Sequence, residues 1–257
     1  NNNTNILFCL INTFKMDITY LVTVFNEVKT VKQSIQDVIS LNIKNKEIII
    51  IDNGSTDGSS NIVNEFKDCE NITVIIQEKN LGFANTIKQG IKISKGEFIY
   101  IQFSDLEYDH HKSIEMLKIA KRDKVDVVLG SRLKNDNNNS FNLLNNLIKK
   151  PSYIATLLCT FLINIFYRKN LTDIIGSRLY NKESILKILE KSRSPGPGFD
   201  FELVSLMCKH QFKIEEIFTN YTPRANSAEK KIKFYHIYNA LFEILKIKFF
   251  YKVKFYK

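Results

Sequence analysis

Carboxylates cluster where two apolar runs end. One run goes from Glu47 through four isoleucines to Asp52 and breaks at Asn53-Gly54-Ser55-Thr56-Asp57-Gly58; the other goes from Glu97 to Phe103 and breaks at Ser104-Asp105-Leu106-Glu107. In an open α/β sheet, ligands gather beyond the carboxyl ends of the strands, so acids there are placed to hold a sugar, a base or a metal ion. If the segment is extended, Asp105 and Glu107 point to the same side of the chain. Such a pair chelates Mg²⁺ or Mn²⁺, with water and a diphosphate completing the coordination, and the metal neutralises a departing nucleoside diphosphate. A solvated acidic turn is the competing reading.

Glu27 follows a third apolar run, Ile18 to Phe25. Glu27 and Asp52 then end neighbouring parallel strands, where carboxylates accept hydrogen bonds from a base edge and a ribose hydroxyl. Asp57 has a local alternative as a helix N-cap behind an Asn53-Gly54 turn. Asp52 is read as a ligand group, because a carboxylate directly after four isoleucines has little structural reason to be there.

The elements needed to position these acids alternate strand and helix. Strand 18–25 precedes a helix carrying Val31, Ile35, Val38 and Ile39 at helical spacing. Strand 47–51 with helix 59–67, strand 72–77 with helix 83–94, strand 97–103 with helix 112–122, and strand 125–129 follow. This run predicts an α/β fold with a mostly parallel, doubly wound sheet and C-terminal helices. Beyond Arg132 come a polar loop, helices near 141–149 and 151–167, a Pro- and Gly-rich loop at 192–198, a helix at 199–209, a strand at 212–217 and a basic helix rich in aromatics from Phe234 to Lys257. The expected division is an extension at 1–15 ahead of Met16, a catalytic domain at 16–233 and the tail helix at 234–257.

With 257 residues, 44% of them hydrophobic, the chain has enough apolar surface for one substantial core. The formal charge of +10 points to an anionic partner. No stacking-plus-basic motif accompanies it, so nucleic acid is not among the expected partners. The four cysteines form no CxxC pair, which argues against a zinc knuckle or a disulfide framework and fits a reducing cytoplasmic setting. The apolar window 153–167 is shorter than the roughly 20 residues that span a bilayer. The tail from Leu245 mixes lysines with aromatics, as a segment lying on an anionic lipid surface does. Peripheral attachment to the cytoplasmic face of a membrane is the expectation. The alternative is that Ala240, Leu241, Ile244 and Leu245 pack on the sheet while the lysines are solvated.

Taken in order, the motifs resemble the family 2 glycosyltransferases of GT-A (nucleotide-diphospho-sugar transferase) fold, particularly the branch of dolichyl-phosphate mannose synthase and other polyprenyl-phosphate sugar transferases. Thr23-Val-Phe25-Asn26-Glu27 looks like P-x-Y-N-E, and Asp52-Asn-Gly54-Ser55-Thr-Asp57 like D-D-G-S-T-D. Asn80-Leu-Gly82-Phe-Ala84 with Gly90 is similar to N-x-G-x-x-A…G, and Phe103-Ser104-Asp105-Leu-Glu107-Tyr-Asp109 to D-A-D-L-E-Y-D. Gly130-Ser-Arg132, Thr172-Asp173…Gly176-Ser-Arg178 and Tyr221-Thr-Pro-Arg224 followed by Glu229-Lys230-Lys231-Ile232 complete the set.

The resemblance implies that Thr23, Phe25, Glu27 and Asp52 hold the nucleoside of a nucleoside-diphosphate sugar, with Gly54, Ser55, Gly82 and Ser104 lining its site. Asp105 and Glu107 would hold Mg²⁺ or Mn²⁺. Arg132 and Arg178 would meet phosphate or acceptor, and Arg224, Lys230 and Lys231 would close over the diphosphate. Asp105, Arg132 and Arg224, with Asp200, form the candidate catalytic set. A polyprenyl phosphate is already an anion and needs no general base, whereas a glycan hydroxyl does, with Asp200 or Glu202 as candidates. Phe103 departs from the pattern by replacing an acid with a side chain that cannot coordinate a cation. Asn53, Thr23 and Ala228 depart as well. Three functions are therefore expected in competition: inverting hexose transfer to a polyprenyl phosphate, transfer to a saccharide hydroxyl in cell-surface glycan synthesis, and a catalytically weakened nucleotide-sugar-binding module.

Overall fold

The structure, a computed structural model, describes residues 16–134, 151–196, 198–223 and 237–252. Its elements are β1 (Ile18–Val24), α1 (Val31–Ser40), β2 (Lys46–Asp52), α2 (Ser59–Asn64), β3 (Ile72–Ile76), α3 (Phe83–Ile93), β4 (Phe98–Phe103), α4 (Lys112–Asp123), β5 (Val127–Ser131), α5 (Pro151–Tyr167), β6 (Arg178–Asn181), α6 (Lys182–Leu189), α7 (Phe199–Lys209), β7 (Ile214–Phe218) and α8 (Ile237–Phe249). The extension at 1–15 and the helix expected at 141–149 lie outside the described residues.

The strands form one seven-stranded sheet in the order β3-β2-β1-β4-β6-β5-β7. Every neighbouring pair is parallel except those made by β6, which runs antiparallel to β4 and β5. The strand order reverses between β1 and β4, which places the crevice for a ligand at their carboxyl ends. The central strands β1, β2 and β4 are buried on both faces and are therefore apolar along most of their length, whereas the edge strands β3 and β7 are partly exposed. On β1 and β2, Tyr20, Val22, Ile48 and Ile50 join the cluster under α1, α2 and α4, while Leu21, Ile49 and Ile51 face α3, α6 and α7. A third cluster, including Cys159, Ile163, Val204 and Ile244, packs α5, α7 and α8 together.

β6 and α6 went unread in the sequence. Four residues beginning with an arginine give no apolar run, although the Asn181 side chain caps α6 by accepting from the Ser184 amide at 3.0 Å. β5 and β7 lie about two residues further along than expected, and α2 ends at Asn64 rather than near residue 67. β6 sits against its neighbours so closely that a Cβ on Gly176 would fall 1.6 Å from the Gly130 carbonyl oxygen.

Candidate active site

Register brings the three acidic strand ends together. Val24 is opposite Asp52 and Thr23 opposite Phe103, so the segments after β1, β2 and β4 emerge side by side. β5 and β7 run in the same sense, and β6, being reversed, starts on this edge with Arg178.

The loops after β1 and β2 are laced to one another. The Asn26 amide donates to Ser55 Oγ, the Glu27 amide to Ser59 Oγ and the Val28 amide to Asp57 Oδ2, while the Thr56 amide donates to Asn26 Oδ1. Asn26 takes a positive φ of 52° to make this turn. Asp57 also accepts from the Ser59 amide, but the cap position is Gly58, at φ 97° and with no side-chain cap bond, so Asp57 is not the helix N-cap expected from the sequence.

Asp52 is fully buried and accepts from the Ser55 amide and from the Ser55 and Ser60 hydroxyls. It therefore has the structural reason that the sequence did not reveal, since it closes the turn on which Ser55 stands. Asn53, in place of an acid, donates to Asn80 Oδ1 and accepts from the Leu81 amide. That tie fixes the entry to α3, where Gly82 has φ 88°. Gly54, at φ 72°, crosses the Lys79–Asn80 backbone so closely that a Cβ would come within 2.4 Å of it. Glu47, at the opposite end of β2, is tied instead to Thr19 Oγ1 and the Lys95 amide.

Beyond β4 the chain turns instead of extending. Leu106 has φ 56°, and Asp105 Oδ1 accepts from the Glu107 amide at 3.2 Å. The extended i, i+2 geometry expected for Asp105 and Glu107 is thus replaced by a tight turn. Glu107 Oε2 accepts from the Tyr221 hydroxyl at 2.9 Å, and Ser104 Oγ donates to the Thr23 carbonyl. Phe103 stacks on Phe83 and neighbours Tyr108, which in turn contacts Tyr221. Where an acid was expected, the chain builds an aromatic row.

Arg132 and Arg178, expected to meet phosphate or acceptor, are both buried and both committed to carboxylates, Arg132 to the buried Asp173 and Arg178 to the half-buried Asp200. Arg132 forms a fork with Asp173, its guanidinium lying 4.9 Å from the Tyr153 ring centroid and 5.3 Å from that of Tyr221. Burial opposes charge on both partners, yet their attraction holds the Asp173 carboxyl below its ordinary range and Arg132 above its own. The Thr172 and Asp173 amides donate to Glu216, whose carboxyl burial pushes upward. Arg178 makes a second fork with Asp200, and Glu202 is walled in by Ser192 Oγ and the Arg193 and Ser194 amides. Neither Asp200 nor Glu202 is disposed as an unencumbered base. Sequence reasoning missed Asp173, Glu216 and Tyr153 as members of this charged and aromatic cluster. Arg224, Lys230 and Lys231 lie outside the described residues.

Residues 19–189 match the sequence profile of Glycosyl transferase family 2. The chain belongs to that family. Among curated proteins, the poly-β-1,6-N-acetyl-D-glucosamine synthase of Staphylococcus epidermidis is 33% identical over 120 residues, covering 46% of this chain and 29% of that protein. The chain thus aligns with less than a third of that relative's length. Among solved structures, the glucosyl-3-phosphoglycerate synthase of Mycobacterium tuberculosis with UDP superimposes with a TM-score of 0.65 at 13% identity, covering 90% of this chain and 80% of that one. A mannosyltransferase of Pyrobaculum calidifontis with GDP-mannose and Mn²⁺ gives 0.60 at 12% identity, covering 84% and 59%. The GT-A fold implied by the motifs is the fold observed. These relatives' names speak of a glucosamine polymer, a phosphoglycerate and mannose rather than of a polyprenyl phosphate.

Among the described residues no group of three or more His, Cys, Asp or Glu side chains is arranged to hold a metal. The family 2 edge instead offers hard carboxylate oxygens from Asp105 and Glu107. This donor chemistry fits Mg²⁺ or Mn²⁺, which take one or two protein carboxylates and complete their shell with phosphate and water.

Proposed function

We propose that this chain moves a hexose from a nucleoside-diphosphate sugar to a polyprenyl phosphate, inverting the anomeric centre in one displacement. The observation that carries the donor half is the convergence of the Thr23–Glu27, Asp52–Ser55 and Ser104–Glu107 segments on one carboxyl edge at the strand-order reversal. In this reading Thr23, Phe25, Glu27 and the Asp52–Ser55 turn bind the nucleoside, with Asp52 acting by holding Ser55 in place. Gly82 lets the chain pass close to the donor, and Ser104 pins the β1 end to the β4 end. Asp105 and Glu107 would hold the divalent ion, which supplies neutralisation of the diphosphate's charge when bound. Arg224, Lys230 and Lys231 supply further positive charge to that leaving group. Arg132 and Arg178 act as the charged backing of the acceptor side, each oriented by its carboxylate.

The acceptor assignment is supported by the state of the two base candidates. Asp200 is held by Arg178 and Glu202 by the 192–194 loop, so an acceptor that arrives already ionised suits the site. A second reading, transfer to a saccharide hydroxyl with Asp200 as base, is favoured by the similarity to the glucosamine-polymer synthase. Incubation with radiolabelled UDP- and GDP-sugars, polyprenyl phosphate and Mn²⁺ separates the two. Label extracted into organic solvent supports the lipid acceptor, and label retained on an aqueous glycan supports the hydroxyl. Donor binding without turnover toward either acceptor, unrecovered in Phe103→Asp, assigns a nucleotide-sugar-binding module.

A further inference from the structure

Two helices packed against each other both turn apolar side chains outward at helical spacing. On α5 the exposed residues are Ile154, Leu158, Phe161 and Ile165; on α8 they are Tyr238, Phe242, Leu245 and Phe249. Both series run i, i+4, i+7, i+11, which is one stripe along a helix. These are not the faces that build the core, since α5 buries Cys159 and Ile163 while α8 buries Ala240, Ile244 and Ile247. The stripes meet where Phe166 contacts Phe249 edge-to-face, and Phe250, 81% exposed, continues the surface. Paired stripes of this size exceed the scattered apolar residues of an ordinary surface.

Along the two helices themselves the outward charge has one sign. From residue 151 to 170 the sequence contains no acid, and from 237 to 252 it contains only Glu243, which is buried and bound by Lys246. Cations gather at the carboxyl ends of both helices. Lys248 donates to the Phe166 carbonyl at the end of α5, and Lys209 donates to the Ile247 and Lys248 carbonyls at the end of α8, with Arg168 and Lys252 exposed nearby.

We propose that the α5–α8 face lies on a bilayer carrying anionic headgroups, its aromatic stripes entering the interface and its lysines meeting the lipid phosphates. A second copy of the chain is the poorer occupant, because a two-fold contact through this face would set one cationic rim against another, with no outward acid on the described residues of α5 and α8 to offset it. The proposal holds whatever the acceptor of the transfer reaction.

The test is co-sedimentation of the full chain with phosphatidylcholine vesicles, with and without phosphatidylglycerol, beside the double variant Phe161→Glu/Phe242→Glu. Those side chains are 59% and 63% exposed, so the variant is expected to keep a melting temperature close to that of wild type, which a thermal melt checks first. Wild type is expected to partition onto the phosphatidylglycerol vesicles about tenfold more strongly than the variant, and about tenfold more strongly than onto phosphatidylcholine alone. Lys252→Glu is expected to lower partition onto the anionic vesicles alone. Equal partition of wild type and double variant, or wild type left in the supernatant, overturns the proposal. Self-association in light scattering that the double variant abolishes would also overturn it, by giving the face to a second copy.

Discussion

Phe103 stacks on Phe83 with ring centroids 5.7 Å apart and planes 25° from parallel. The position at which family motifs carry an acid is thus a half-buried contact between β4 and α3, and Phe83 passes it on to Phe199 through an edge contact at 6.1 Å. Phe103→Asp places a carboxylate in this row and is expected to cost about 1–3 kcal/mol of stability through lost ring contacts. The same change adds a third hard oxygen donor near Asp105, so the extra rise in melting temperature that Mn²⁺ gives in the presence of UDP or GDP should grow. Denaturant unfolding and a thermal shift series read the two effects separately. A variant as stable as wild type would show that the stack contributes nothing.

The Arg132–Asp173 fork predicts a pH dependence with a definite sign. Asp173 is fully buried and its carboxyl is held below its ordinary range in the folded chain. The folded state therefore binds fewer protons there than the unfolded state. The resulting stability is complete above the ordinary aspartate value, about 3.9, and drains away as pH falls through the lower, folded-state value. Asp173→Asn leaves Arg132 buried without its counter-charge and is expected to cost about 3–5 kcal/mol at neutral pH. Melting curves from pH 7 down to pH 2 should show the gap between wild type and variant unchanged above about pH 4 and closing below it. A gap that stays constant would mean that the ion pair does not carry the difference.

The first half of the fold was legible because parallel strands buried on both faces leave apolar runs between turn residues, as the four isoleucines of β2 do. β6 was hidden for the opposite reason. Arg178 begins it fully buried, and what makes that tolerable is Asp200, 22 residues later on α7. A long-range partner of this kind leaves no local pattern. Asp52 has no evident structural partner in the sequence, whereas the fold turns Ser55 and Ser60 back onto its carboxylate. The Asp105 and Glu107 turn was misjudged because strand alternation was carried past the strand's end, where Leu106 takes a left-handed φ. What sequence does record well is the order of chemical groups along the edge.

Gly176 tests whether the reversed strand is as tightly seated as the backbone implies. A methyl there would overlap the Gly130 carbonyl oxygen at 1.6 Å, a contact between two backbones with no flexible side chain to yield. Gly176→Ala is expected to lower stability by about 3 kcal/mol or more, or to give no folded protein. Gly196→Ala has nothing within 4 Å of the added carbon and serves as the tolerated control. Circular dichroism melts of the pair decide it. Similar melting temperatures for both would show that β6 has room to shift.

Asp105→Asn separates the chemistry from the fold. The wild-type Oδ1 accepts from the Glu107 amide, and an asparagine oxygen can accept the same bond, so the turn through Leu106 should survive with a stability change within about 1 kcal/mol. What the amide cannot supply is the negative charge that a divalent ion requires of its hard oxygen ligand. Sugar transfer should therefore fall by about a hundredfold or more, and the melting shift given by UDP or GDP should lose its Mn²⁺-dependent part while retaining its metal-independent part. Transfer at the wild-type rate would remove Asp105 from the catalytic set, and loss of the metal-independent shift would make the residue a support for the nucleotide loops instead.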